Sequence, residues 1–395
     1  MGFRMARGTS AGLLDAPAPQ SIYKNAILDQ YVIRYATMTA SKLTPHRAVL
    51  FDGFAGGGRY SDGKAGSAEH MMLAAQKARQ HTQIDIFVVE QSKALFDRLD
   101  GVADEYRSRG IAVESRHGDC GGRLSEVLAF ARGASLFLFL DPCGAVLPFD
   151  QLAPLLRQRG AWPRTELLMN FSADLIRRAG GQYKKGQLDL GGVASADRVC
   201  GGEWWRDLAL EAHLRSVDGS WESAAEAVAV EYARRLTHGT RFGYVIAPVR
   251  RRQHHQPIYY LIFLTTDDHG FWVFGAAAAK AREAWIRALG PDDEAADEML
   301  FGGVEEQIAA EHDRNIKQIG QNLTRLVADG ATSSVVNHTL EVFGEVYGEA
   351  KETAFTAAMR ALVKEGQVEY VKKGSKPHQH VIRAPESPTR PSEQA

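Results

Sequence analysis

Short apolar runs alternate along the chain with stretches in which apolar residues return every three or four positions. The first pattern calls for strands and the second for helices. Tyr23, Ile27, Tyr31 and Tyr35, with Leu28 and Val32 beside them, predict an amphipathic helix. Residues 48–52, 84–90, 111–115, 136–141 and 166–172 predict five strands, with helices at 68–78 and 123–131 among the connections. Strands separated by helices cross over right-handed and form a parallel sheet covered on both faces. Two later runs, 242–248 and 258–265, are joined by too few residues for a crossover and must pair antiparallel. The span 173–241 before that pair is too long to be structureless and predicts a helical insertion.

Beyond residue 302 helical patterns dominate, with linking helices expected over 301–331. A helix around 335–343 precedes a second at 351–364, whose Phe355, Met359, Leu362 and Val363 share one face. Gly366 stops it, and strands at 367–371 and 380–383 flank a basic tip at 372–376. Helix, helix, hairpin predicts a winged helix over 332–384. The Pro-, Ala- and Ser-rich ends, 1–20 and 385–395, are expected to be loose. No internal repeat is present.

Composition narrows the class. Apolar residues make up 45% of the chain, enough for a substantial core, so disordered and fibrous classes are excluded. A formal charge of −1 means that attraction to nucleic acid or membrane must come from local patches. The three cysteines, Cys120, Cys143 and Cys200, form neither a disulfide framework nor a paired zinc spacing, which suits a reducing cytoplasm. No run approaches the roughly 18 to 20 apolar residues that span a bilayer. Arg4 and Arg7 have no apolar segment behind them, so no signal peptide is read.

The strongest local signal is Asp52-Gly53-Phe54-Ala55-Gly56-Gly57-Gly58, directly after the first strand. Glycines there let the backbone approach a ligand at the carboxyl ends of the strands. A dinucleotide fingerprint starting at Gly56 and Gly58 needs Gly or Ala where Ser61 stands. D-x-F-x-G-x-G fits better, and five parallel strands closed by a hairpin is the sheet of a class I methyltransferase, with 21–300 as that domain and the insertion over its catalytic face. Glu90, followed by Gln91, ends the second strand, where a carboxylate accepts ribose hydroxyls. Asp119, followed by Cys120, ends the third, where an adenine amino group sits. An acidic residue at a strand end is also commonly a turn or a helix cap.

The fourth strand ends in Asp141-Pro142-Cys143-Gly144, and Asp141 there could hold the methionine moiety, orient the acceptor or take its proton. Amino methylation of adenine normally shows a second Pro and an aromatic where Cys143 and Gly144 stand. Cytosine C5 methylation needs a thiolate after a proline, which Pro142-Cys143 offers, but its Glu-Asn-Val motif is absent. Cys143 reads as a small packing residue.

The Tyr23-Lys24 helix, the turn from Phe51 to Tyr60, Asp62-Gly63 with Gly66-Ser67, Asp141 to Gly144, Met169-Asn170-Phe171-Ser172 and the Trp204-Trp205 neighbourhood resemble the three-Cys-motif partner family, TcmP. The resemblance runs in order from Tyr23 to about Thr266 and extends to a C-terminal winged helix. It implies an S-adenosylmethionine-dependent methyltransferase fold and a radical-SAM-like partner carrying three cysteines, which this chain cannot be, because its own cysteines lack cluster spacing. The chain departs from the family at Gly57, where Pro is usual, and at Cys143, where an aromatic is usual.

The cofactor set is therefore Asp52, Gly53, Phe54, Ala55, Gly56, Gly58, Glu90, Gln91, Asp119, Cys120 and Asp141, and Asp141 is the candidate catalytic group. Tyr60, Pro142, Asn170, Arg251, Arg252, Lys372, Lys373 and Lys376 are the candidate substrate contacts. The 250–255 segment, with Arg177, Arg178, Lys184 and Lys185 as neighbours, reads equally as a phosphate contact or a solvated turn. His254 and His255 face opposite ways on a strand and lack a third ligand, so no metal is expected. Trp204 and Trp205 could stack on a base, but a tryptophan pair in helices is more often core.

Between Lys364 and Arg383 five basic residues face two acidic ones, which suits DNA or RNA backbone contact. Methyl transfer to a nucleic-acid base, modified or damaged, is the leading expectation. The alternatives are a cofactor-binding nucleic-acid adaptor without methyl transfer, and a small-molecule or protein methyltransferase whose winged helix dimerises.

Overall fold

A computed structural model of the chain describes residues 19–142, 147–188, 190–217, 219–250, 255–289 and 303–385. Seven strands form one sheet: β1 (Arg47–Asp52), β2 (Gln83–Glu90), β3 (Val113–His117), β4 (Ser135–Leu140), β5 (Thr165–Ser172), β6 (Gly243–Val249) and β7 (Tyr259–Thr265). Their order is β3-β2-β1-β4-β5-β7-β6. The first five are parallel, and β7 runs antiparallel to both β5 and β6. Strand order reverses at β1, whose neighbours β2 and β4 lead away in opposite directions, so a crevice opens beyond its carboxyl end. Every residue of β4 is buried, as a Ser-Leu-Phe-Leu-Phe-Leu run requires once helices cover both faces.

Helices α1 (Pro19–Ala40), α2 (Ser67–Ala78), α3 (Lys93–Arg107), α4 (Cys120–Phe130) and α5 (Phe149–Gln158) pack on the sheet. The Tyr31 and Tyr35 rings of α1 lie 5.8 and 5.6 Å from Phe137 of β4. The Tyr31 hydroxyl donates to the buried Glu166 of β5, whose other oxygen accepts from Thr265 Oγ1 of β7 at 2.8 Å. A carboxylate removed from water needs such donors, and here they tie α1 to two strands at once.

The expected insertion is helical, as α6 (Ala173–Lys184), α7 (Gly191–Cys200), α8 (Trp205–Arg215) and α9 (Glu222–Thr237). The tryptophan pair is structural. Trp205 is fully buried with its indole N–H donating to Asp197, and Trp204 donates to the Cys200 carbonyl beneath the Arg235 guanidinium, 4.3 Å from its ring. The third strand begins two residues later than expected, because the Ile111 amide closes the end of α3 on the Tyr106 carbonyl. The fourth ends at Leu140, leaving Asp141 outside the ladder.

The chain divides into two compact units after Thr266, not near residue 300. The reason is α10 (Asp268–Leu289), whose Trp272 is a core residue of the second unit. Its ring stands edge-on to Phe343 and Phe355 at 5.2 and 5.3 Å, and its N–H donates to Glu352. The unit continues with α11 (Val304–Leu326), β8 (Ser333–Ser334), α12 (Thr339–Phe343), α13 (Glu352–Lys364), β9 (Glu369–Lys372) and β10 (Val381–Arg383). Strands β8-β10-β9 form an antiparallel sheet.

Helix α11 is not a linker, since its Ile319 and Leu323 are buried in the same core. The helix expected from 335 starts only at Thr339, because the Val335 amide pairs with the His380 carbonyl and extends a strand that periodicity did not show. On α13, Phe355, Met359 and Leu362 are buried, but Val363 is exposed at the edge of their stripe. Residues 1–18, 290–302 and 386–395, which hold most of the expected loose ends, lie outside the described residues.

If α10 is integral to the second unit, Trp272→Ala should destabilise that unit by about 3–5 kcal/mol. A 267–385 fragment should unfold cooperatively in urea, whereas a 303–385 fragment should not. Circular dichroism of the two fragments is the check, and equal cooperativity would return the boundary to about residue 300.

Candidate functional site

The chain leaves β1 through Asp52, which is wholly buried. Its Oδ1 accepts from the Phe54 amide at 3.0 Å and its Oδ2 from Ser67 Oγ, at the start of α2, at 2.6 Å. The two bonds bend the backbone and anchor the far side of the turn. The Gly53 amide still bonds the Phe139 carbonyl of β4 at 3.0 Å, and a Cβ on Gly53 would stand 2.5 Å from Cys120 Sγ. Gly56 and Gly58 have φ of +58° and +76°, a region glycine enters without a steric cost.

A cavity of about 300 Å³ lies over this turn. Gly53, Phe54, Ala55, Gly56, Gly58 and Tyr60 form its floor. Glu90 and Gln91, Asp119 and Cys120, and Asp141 and Pro142 reach it from the carboxyl ends of β2, β3 and β4. Three strand ends and one glycine turn, all nominated by the sequence, thus meet in one place. Asp52 is the exception within the cofactor set: it is sealed beneath the turn and does not line the cavity, so its part is to shape the wall.

Each carboxylate has a structural duty as well. Glu90 accepts from the Gly56 amide through Oε2 at 2.9 Å and from the Ser92 amide through Oε1 at 2.7 Å. A carboxylate has about four acceptor positions, so both oxygens keep capacity for a ligand hydroxyl. Asp119 caps α4, its Oδ2 accepting from the Gly122 amide at 3.1 Å. Capping leaves Asp119 at the cavity wall. Cys120 is apolar wall: burial pushes its thiol far above the usual range, which leaves it protonated and inert.

Asp141 is held on both oxygens, by an ion pair with Lys24 of α1 and by the Asn170 amide of β5 at 3.0 Å. Asn170 itself does not line the cavity. Ser21, Lys24 and Asn25 of α1 also line the wall, with Arg59, Ser67 and Leu95; the Tyr23-Lys24 helix is among the resembling motifs, but none of these six was a candidate site residue. A signal existed for one of them: Lys24 falls one position from Tyr23 and four from Leu28 on the buried face of the helix, where lysine is seldom found unless paired.

The remaining candidates lie elsewhere. Arg251, Arg252 and His254, with Cys143 and Gly144, are outside the described residues. Of the neighbouring cations, Arg250 pairs with Glu222 at 2.7 Å, Arg177 donates to the Pro257 carbonyl at 2.5 Å, and Lys184 bonds His213 at 2.9 Å. Lys372, Lys373 and Lys376 are exposed around the hairpin of the second unit, with Lys373 5.4 Å from the Tyr370 ring. Among the described residues, no cluster of three His, Cys, Asp or Glu could hold a metal, and no helix is long and apolar enough to cross a membrane.

Burial pushes the Asp52 carboxyl up to about 7, against the opposing hydrogen bonds from Ser67 and Phe54. In the unfolded chain it titrates near 4, so folding takes up a proton between those values. The contribution is full below about pH 4 and lost as pH rises through 7. Stability from urea unfolding should therefore fall between pH 5 and pH 8, and Asp52→Asn should flatten that fall. An unchanged slope in the variant would show that Asp52 is not its source.

No family model matches the chain, and no curated protein matches it. Among solved structures it is similar to the plantazolicin methyltransferase BamL, in complex with a triazolic desmethylPZN analog and SAH: 10% identity over 62% of this chain and 84% of that one, TM-score 0.31. The methyltransferase domain of bacterial CtHen1-C gives 10% identity over 60% and 98%, TM-score 0.31. Geranyl diphosphate methyltransferase, in complex with GPP and sinefungin, gives 16% over 59% and 77%, TM-score 0.26. Overlaps of this extent carry no weight. The strand order itself, with an antiparallel β7 between β5 and β6, departs from the all-parallel dinucleotide sheet and gives the first unit the class I methyltransferase fold.

Proposed function

We propose that the chain is an S-adenosylmethionine-dependent methyltransferase acting on a nucleic-acid base. The observation that carries this reading is the meeting of Glu90, Asp119 and Asp141 in one cavity over the glycine turn. The donor set suits that cofactor. Glu90 offers paired acceptors for ribose hydroxyls, Asp119 an acceptor for the adenine amino group, and the backbone of 53–58 a close approach for the methionine end. The volume is at the lower end of small-molecule sites, about 300–1,000 Å³. When bound, the cofactor supplies an electrophilic methyl group on a sulfonium.

The chain's own contribution is position and exclusion of water. Cys120 and Pro142 are apolar, buried wall, and Asp141 holds a negative charge at the end of β4 where the acceptor enters. Lys24 and Asn170 each engage one oxygen of Asp141 and fix the carboxylate in place, and the acceptor positions left on each oxygen can orient an incoming group. The same observation favours a second reading, in which the chain binds cofactor and nucleic acid as an adaptor and transfers nothing.

The nucleic-acid assignment is supported by the second unit, whose two helices, strand, two further helices and lysine-bearing hairpin we read as a winged helix. Membership of the TcmP family, with a radical-SAM-like three-Cys-motif protein as partner, is proposed on the sequence resemblance, and a cytoplasmic setting on the few, scattered cysteines.

Calorimetric titration should give micromolar binding of S-adenosylmethionine, weakened about 10- to 100-fold by Glu90→Ala, which removes charge-assisted hydrogen bonds. A folded protein that binds none overturns the reading. Incubation with DNA and RNA should yield S-adenosylhomocysteine, abolished by Asp141→Ala; binding without turnover selects the adaptor. Joint replacement of Lys372, Lys373 and Lys376 by Ala should reduce the salt dependence of nucleic-acid affinity by up to about three phosphate contacts. An unchanged slope in mobility shifts would remove the wing from the interface.

A further inference from the structure

Lys24 is 7% exposed, and its side chain reaches the cavity from near the start of an otherwise apolar helix face. Its ammonium pairs with Asp141 and lies 5.1 Å from the Tyr259 ring. The other cation in the cavity wall is Arg59, whose guanidinium is spent on Glu69 and Glu105, at 2.5 and 2.8 Å. Against three carboxylates, Glu90, Asp119 and Asp141, Lys24 is thus the one cation, among the described lining residues, that is paired with a carboxylate of the wall itself.

We propose that Lys24 is a positioning residue and the counter-charge of Asp141, and that this pair sets how strongly the cavity prefers the cationic sulfonium over the neutral thioether left after transfer. The proposal rests on the methyltransferase reading. An ion pair presents almost no net charge to a ligand beside it, whereas either partner alone presents a full one in a partly desolvated wall. With both partners present the pair itself adds little to the discrimination between substrate and product forms of the cofactor. Without Lys24, Asp141 attracts the sulfonium; without the Asp141 charge, Lys24 repels it. Asn170 keeps Oδ1 fixed in each case, so geometry changes less than charge.

The test is calorimetric titration of the full chain with S-adenosylmethionine and S-adenosylhomocysteine at pH 8, reading the ratio of the two affinities. Lys24→Met should raise the ratio in favour of S-adenosylmethionine by about five- to tenfold. Asp141→Asn should lower it by a similar factor, and the double variant should return it close to the starting value. Lys24→Arg, which keeps the charge, should leave the ratio unchanged and covers the case in which Lys24→Met folds poorly. A merely structural Lys24 would weaken both ligands together with the ratio unmoved, and that result overturns the proposal alone. An unsubstituted chain that binds neither ligand overturns the methyltransferase reading and this proposal with it.

Discussion

The Asp52 carboxylate, closed off from water at the end of β1, accepts one bond from the Phe54 amide and one from the Ser67 hydroxyl. Those two bonds fix where the turn leaves the sheet and where α2 begins. Glu90 then takes the Gly56 amide, so the middle of the turn is pinned to β2 as well. A glycine-rich loop has high conformational entropy when free. Here it is held at three points, two by the buried Asp52 and one by Glu90, which also lines the cavity. Glu90 therefore belongs to the cavity wall and to the support of its floor at once, so a change there alters both.

The parallel sheet was legible because buried strands write themselves as unbroken apolar runs, and the antiparallel pair because its connection is short. The glycine turn and the acidic strand ends were legible for a related reason: position after a strand is a local property. Lys24 was harder to see. Its importance comes from a partner 117 positions away, and nothing adjacent to it in sequence announces Asp141. Asp52 was misplaced for the opposite reason. Motif position puts it at the ligand, whereas its burial and its two hydrogen bonds put it behind the wall.

The second unit shows a different limit. Strand β8 is two residues long and its pairing is made by backbone groups, so side-chain periodicity carries no trace of it. The boundary was missed because α10 follows β7 almost directly, and proximity in sequence suggested continuity of the sheet domain. Packing decides otherwise: Trp272 shares its core with Phe343 and Phe355, far along the chain. Large aromatic side chains with a polar edge have strong demands on their surroundings, and the N–H of Trp272 is met by Glu352 of the same unit.

Helix α1 forms part of the cavity wall, yet its anchors are distant. Tyr31 is fastened to Glu166, and Glu166 in turn to Thr265, the last residue of β7. The buried face of α1 packs on α2, β1 and β4 as well as on the later β5 and β7. Closing the loop from Tyr31 to Glu166 has an entropic cost that the packing of α1 offsets. The wall carrying Lys24 is thus fastened to early and late strands alike, and the cavity and the far edge of the sheet share one chain of hydrogen bonds through Tyr31, Glu166 and Thr265.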